Sequence, residues 1–218
     1  MLAAKKAGIE FGGFVDAPSG FKINYEQLKD WSTGISSELY HKHNVRSGDV
    51  VAFMSRNTVW YPVAMFAVMR LGGIISGSSP AYTLDEMTFA LRVSGAKYLF
   101  TSPTSEKIAT EAAIECGIPK ENIFLLEGEG EYKTIKELLQ RGLKYSPPVE
   151  PFEIPKDKTN SDVCGYLSFS SGTTGLPKAV MISQGNVIAQ ALQMKVMNHW
   201  NTSEDMIASA VLPLFHSK

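Results

Sequence analysis

Nine consecutive residues, Ser170-Ser171-Gly172-Thr173-Thr174-Gly175-Leu176-Pro177-Lys178, set four hydroxyls around two glycines and end on one lysine. A polyphosphate needs such a set. Glycines let backbone N–H groups approach without a Cβ in the way, hydroxyls donate further hydrogen bonds, and the lysine adds a full charge. The Walker A loop is the obvious comparison, and its spacing, G-x-x-x-x-G-K-[ST], is not met. Here Pro177 precedes the lysine and Ala179 follows it, so no hydroxyl stands where that motif holds Mg2+. A polar hairpin loop is the plain alternative, because Gly, Ser, Thr and Pro are ordinary loop residues. The order of the string, and its place between the apolar stretches 164–169 and 179–182, favour phosphate chemistry. A second candidate is His216. A lone histidine usually packs in a core, but this one follows Pro213-Leu214-Phe215 at the end of an apolar stretch, 207–212, where active-site residues collect.

The nine residues and their flanks resemble the phosphate loop of the adenylate-forming superfamily: acyl-CoA ligases, 4-coumarate–CoA ligase, beetle luciferase and peptide-synthetase adenylation domains. The similarity continues through Ala179-Val180-Met181-Ile182-Ser183-Gln184-Gly185-Asn186-Val187 and resumes in Val211-Leu212-Pro213-Leu214-Phe215-His216. Upstream, Ala81-Tyr82-Thr83-Leu84-Asp85-Glu86 and Phe14-Val15-Asp16 fall where 4-coumarate–CoA ligase-like enzymes carry similar segments. The resemblance implies that Ser170, Ser171, Thr173 and Thr174 contact the β- and γ-phosphates of ATP. Gly172 and Gly175 would supply backbone N–H groups, Lys178 charge, and His216 a position beside the substrate carboxylate. It also implies ATP, Mg2+ and coenzyme A as reactants, and an aryl or fatty acid as the substrate. The reaction would form an acyl-adenylate and then an acyl-CoA thioester. Gln184 departs from the histidine usual after the loop. The family's aromatic-Gly-x-Thr-Glu motif, ribose-binding aspartate and small catalytic-lysine domain find no match up to Lys218. Residues 1–218 are therefore expected to be the first part of an N-terminal AMP-binding domain, with the C-terminal domain absent. The alternative is a noncatalytic, truncated remnant that binds nucleotide weakly at most.

The elements that must position these residues are legible from periodicity and caps. The stretches 14–16 and 21–23, with Pro18 and Gly20 between them, predict a hairpin. Asn24 predicts a helix start, with Leu28, Trp31, Ile35 and Leu39 on one face. A buried strand is expected at 50–54. It is followed by a helix carrying Trp60, Val63, Ala67, Val68 and Leu71 that stops at Gly72-Gly73. Thr83 with Glu86, and Thr134 with Glu137, spell capping boxes; Met87, Leu91 and Val93 are read as facing inward from the first of these helices. Strands are expected at 97–101 and 122–126 around a helix at 106–116. This β-α-β-α order with continuously apolar strands predicts an α/β fold, a parallel-rich sheet covered by helices. Four prolines between 145 and 162 mark an extended connector, which the resemblance places between two subdomains.

The 218 residues are 44% hydrophobic and 20% charged with a formal net charge of −1, an ordinary globular composition. That balance offers no long-range attraction for nucleic acid or a membrane surface, so an anionic ligand must be held by local groups. Cys116 and Cys164 lie far apart without a C-x-x-C spacing, which argues against zinc and suits a reducing compartment, cytoplasmic or peroxisomal. Cys164 is read as a small core residue, and 63–71 is too short to span a bilayer. His41 and His43 read as solvated residues at a helix end, His199 as a helix-end packing residue, and Ser47-Gly48-Asp49 as a turn.

Overall fold

The computed structural model describes residues 12–170, 177–197 and 212–216. The chain enters through a hairpin, β1 (Gly13–Val15) and β2 (Lys22–Asn24), paired antiparallel with Phe14 opposite Ile23. Asn24 then starts α1 (Tyr25–His41). Its Oδ1 accepts from the Gln27 N–H at 2.8 Å, while Gln27 Oε1 accepts from the Asn24 N–H at 3.0 Å. Two otherwise orphaned backbone donors are satisfied by this exchange. Leu28, Ile35 and Leu39 are buried on the expected face, and the half-buried Trp31 stacks on Trp60 with ring centroids 5.2 Å apart.

Alternating strands and helices follow: β3 (Val50–Met54), α2 (Trp60–Arg70), β4 (Ile74–Ser78), α3 (Leu84–Ser94), β5 (Tyr98–Thr101), α4 (Glu106–Glu115), β6 (Ile123–Leu125), β7 (Lys133–Thr134) and α5 (Ile135–Gly142). α2 ends where Gly72 takes a left-handed φ of 71°, a conformation costly for any residue with a Cβ. Both Thr-x-x-Glu capping boxes form, at Thr83–Glu86 and Thr134–Glu137. After 145–163, which holds no helix or strand, come β8 (Cys164–Ser170), β9 (Lys178–Ser183) and α6 (Gln184–Met197).

Seven of these strands form one sheet in the order β7-β6-β5-β3-β4-β8-β9. Every pair is parallel except β8 with β9, which is antiparallel. Because strand side chains alternate, β3 feeds two cores. Val51 and Phe53 pack with Ile35 and Leu39 of α1, Val63 of α2 and Leu138 of α5; Ala52 and Met54 pack with Met87 and Leu91 of α3 and Ala109 of α4. The 145–162 connector lies along the first of these layers. The Phe152 N–H donates to Arg70 O at 2.7 Å and the Val149 N–H to Ser37 Oγ at 3.0 Å.

The architecture agrees with the α/β reading, and several local expectations need correcting. β4 and β7 add to the expected strands; Ser76, Gly77 and Ser78 dilute the strand pattern of the first. Val93 is 47% exposed, turned toward β9 rather than into the core. Stretch 164–169 does form a strand, but only Gly165 of it is buried, and Cys164 is half-buried with its thiol directed at Tyr166 O. β9 is the edge of the sheet among the described residues, with Met181 71% exposed. A bulge between Cys164 and Tyr166 shifts the β8–β9 register by one. His41 is exposed as expected, but His43 is buried, its ring edge-on to Phe124. The 47–49 turn is present, with the Arg46 N–H donating to Asp49 Oδ2. The stretch 207–211 and His199 lie outside the described residues.

Candidate active site

In an open parallel sheet the strand ends point their backbone at ligands from one edge, the carboxyl edge, near the place where the strand order reverses. Here β4-β3-β5-β6-β7 is a doubly wound order, reversing beside β3. β8 joins it in parallel, with Tyr166 opposite Ile75 and Ser168 opposite Gly77. The carboxyl end of β8, Ser170, therefore lies at the same edge as the ends of β3 and β4. The phosphate-type loop leaves from that end.

β9 returns antiparallel, and its first residue, Lys178, stands directly opposite Ser170. The string is thus closed by a hairpin ladder, with a hydroxyl on one post and an ammonium on the other, both exposed. Ser171, Gly172, Thr173, Thr174 and Gly175 lie outside the described residues. Lys178 also lines a cavity of about 580 Å3 between β9 and α3, together with Phe89, Leu167 and Met181.

His216 reaches the same edge from a distant part of the chain. Asn57, in the loop after β3, donates from Nδ2 to Leu212 O and accepts at Oδ1 from the Leu214 N–H, both at 2.9 Å. One amide thus grips the backbone on both sides of Pro213. The His216 N–H closes a turn onto Pro213 O at 3.1 Å, and the side chain is exposed. Below, Phe215 lies so close to β4 that a Cβ on Gly77 would sit 2.5 Å from Phe215 O. Only glycine permits that approach. Asn57 and Gly77 go unmarked in the sequence, where 155 or more residues separate Asn57 from its partners. The local signal at Asn57 is a polar residue soon after an apolar strand, and Gly77 has none.

Ser170 at the carboxyl end of β8, Lys178 at the amino end of β9 and the turn bearing His216 beside β4 therefore lie along one edge of the sheet. The donor set suits a polyphosphate: hydroxyl and ammonium groups with no carboxylate in the loop. Among the described residues no group of three or more His, Cys, Asp or Glu could hold a metal ion. No helix among the described residues is long and apolar enough to cross a membrane.

The chain is similar in sequence and in fold to known proteins. Acyl-CoA ligase AKT1 of Alternaria alternata is 32% identical over 175 residues, covering 77% of this chain and 30% of the relative. 4-coumarate–CoA ligase-like 3 of Arabidopsis thaliana is 27% identical over 209 residues, covering 94% of this chain and 36% of the relative. The chain thus spans about a third of the length of the curated relatives it matches. Among solved structures, a putative long-chain-fatty-acid CoA ligase from Rhodopseudomonas palustris superposes with a TM-score of 0.75 at 22% identity, over 98% of this chain and 50% of that one, a likeness of fold. The family model described as AMP-binding enzyme matches residues 7–217, and the chain belongs to that family.

Proposed function

We propose that the chain carries the phosphate-handling part of an ATP-dependent acid–thiol ligase, one that converts a carboxylic acid through an acyl-adenylate to an acyl-CoA thioester. The observation that supports this most is the closure of the 170–178 string by the Ser170–Lys178 rung at the carboxyl edge, where Asn57 also anchors the turn bearing His216. Ser170, Ser171, Thr173, Thr174 and Lys178 would hold the ATP phosphates, with backbone N–H groups of Gly172 and Gly175.

In the first step the substrate carboxylate attacks the α-phosphorus, and the bond to the pyrophosphate oxygen breaks. Negative charge grows on the departing pyrophosphate. The Lys178 ammonium and the loop's hydroxyls would offset it, the electrostatic means by which such sites lower a barrier. His216 would orient the carboxylate, acting as a positioning group. A coenzyme A thiol then attacks the acyl carbon and AMP leaves. Mg2+ would add charge neutralisation on the phosphates; the described residues supply no ligand set for it, and the steps above depend on the protein's own groups. The substrate class is aryl or fatty carboxylic acids.

A second reading, a noncatalytic remnant, is favoured by the open apolar edge of β9 and by exposed Leu192 and Val196 on α6. ATP–pyrophosphate exchange with a panel of aryl and fatty acids separates the two. Exchange by the 218-residue chain excludes the remnant. Silence from this chain and from one extended to the length of its relatives overturns the ligase reading.

A further inference from the structure

A cavity of about 780 Å3 opens on the α1–α2 side of the sheet, walled by Leu28 of α1, Phe66 of α2, Phe152 of the connector and Ile188 of α6. Its volume falls within the roughly 300–1,000 Å3 of small-molecule sites. None of the described residues lining it belongs to the 170–178 string or to the turn bearing His216. Tyr166 of β8 forms part of its floor, while the next residue, Leu167, faces the cavity beside Lys178 on the opposite side of the sheet.

The charged groups in this apolar cavity carry one sign. Among the described residues Lys29 and Arg70 line it, and no Asp or Glu does. Neither cation has an ion-pair partner among the described residues. Arg70 Nη2 donates to Val149 O at 3.0 Å, but its Nε is buried without a hydrogen-bond partner. A buried donor of that kind favours an acceptor, and a guanidinium favours a planar, charged one. Among the described residues the Tyr166 hydroxyl donates to sulfur, Met69 Sδ at 3.2 Å and Met65 Sδ at 3.8 Å, both weak acceptors.

We propose that this cavity is a second binding site, separate from the phosphate loop, for an amphipathic monoanion: a carboxylate held by Arg70 and Lys29 with an alkyl chain between α1, α2 and α6. The ligand class follows from the pairing of an apolar wall with two cations that lack an ion-pair partner. It does not depend on the ligase reading, because neither ATP nor the loop takes part.

Titration calorimetry of the 218-residue chain with dodecanoate tests it, with dodecanol as the uncharged control. Dodecanoate should bind once per chain and at least tenfold tighter than dodecanol, and saturating ATP should leave its affinity unchanged. Lys29→Met, at an exposed position, should weaken dodecanoate at least threefold without changing dodecanol. Ile188→Glu should abolish binding of both. Arg70→Met removes a support of the connector, so it is read only if its unfolding midpoint matches that of the parent. Equal affinity for acid and alcohol, displacement by ATP, or indifference to Lys29→Met and Ile188→Glu would overturn the site. So would loss of binding in a chain extended to the relatives' length, which would assign the cavity to polypeptide instead.

Discussion

Acidification to pH 5 should destabilise the fold through His43, well before its carboxylates titrate. The imidazole pKa is lowered from 6.5 to about 4, chiefly by burial, next by the Lys133 ammonium 3.5 Å from Nε2, with a smaller push from Lys42. Hydrogen bonds to the Asn122 side chain and the Glu121 backbone act the other way without reversing it. A group whose folded pKa is depressed below its unfolded value gives stability that is complete above about pH 6.5. That stability is lost as pH falls toward 4, because the unfolded chain takes up a proton that the folded one refuses. Between pH 7.5 and pH 5 the linkage amounts to about 2 kcal/mol at most, and about 1 kcal/mol after allowing for solvent screening of the lysines. For a chain of this size that is a fall of roughly 2–4 °C in melting temperature per kcal/mol. The assay is urea unfolding of the parent and His43→Gln at both pH values. The parent should lose about 1 kcal/mol more than the variant on acidification. Identical losses would refute the assignment, because a glutamine side chain at that position cannot titrate.

Three further outcomes concern the site. Lys178→Ala, at an exposed position, should leave the unfolding midpoint in place and cut ATP–pyrophosphate exchange in the extended chain by about 10²–10³-fold; exchange within threefold of the parent would remove the lysine from the reaction. Gly77→Ala places a Cβ against the Phe215 backbone and should cost about 1–3 kcal/mol in urea unfolding, with the turn at 213–216 displaced. Asn57→Ala removes both amide contacts to 212–214, so hydrogen exchange there should quicken while the global midpoint moves by about 1 kcal/mol or less. Unchanged hydrogen exchange would show that the turn is held by other groups.

What can be read in advance is whatever a short stretch of chain encodes by itself. Asn24, Thr83 and Thr134 announce their helices because a cap is satisfied by residues three positions away. The five apolar residues of β3 announce a doubly covered strand. β4 hides its nature because Gly77 is shaped by Phe215, more than a hundred residues on, and not by strand propensity. His43 misleads for a similar reason. Its neighbours in sequence describe a helix end, whereas Asn44, at φ 58°, lies where the chain reverses, and the ring packs on Phe124 of β6. At the site, Ser170 and Lys178 are visible because their loop is contiguous. The amide that anchors the turn bearing His216 is not, since nothing local links Asn57 to Leu212.

The one-residue bulge at the start of β8 governs which residue meets Ser170 at the other end. Carried forward from the Cys164–Ser183 pair without that irregularity, the ladder would bring Pro177 opposite Ser170. Proline has no N–H to offer and would leave the last rung half made. Gly165, passed over in the pairing, moves each later residue of β8 one step along β9, so the rung closes on Lys178 and proline falls just outside it. A defect in pairing some twenty ångströms of strand away, at roughly 3.4 Å per residue, thereby decides that the loop terminates in a cation. The hairpin is fastened at that far end, where the Gln184 N–H donates to Val163 O and the Gly185 N–H to Asn160 O, both at 2.8 Å. The placement of the ammonium is in this sense counted out from the connector, like a notch on a ruler whose zero lies at the opposite edge of the sheet.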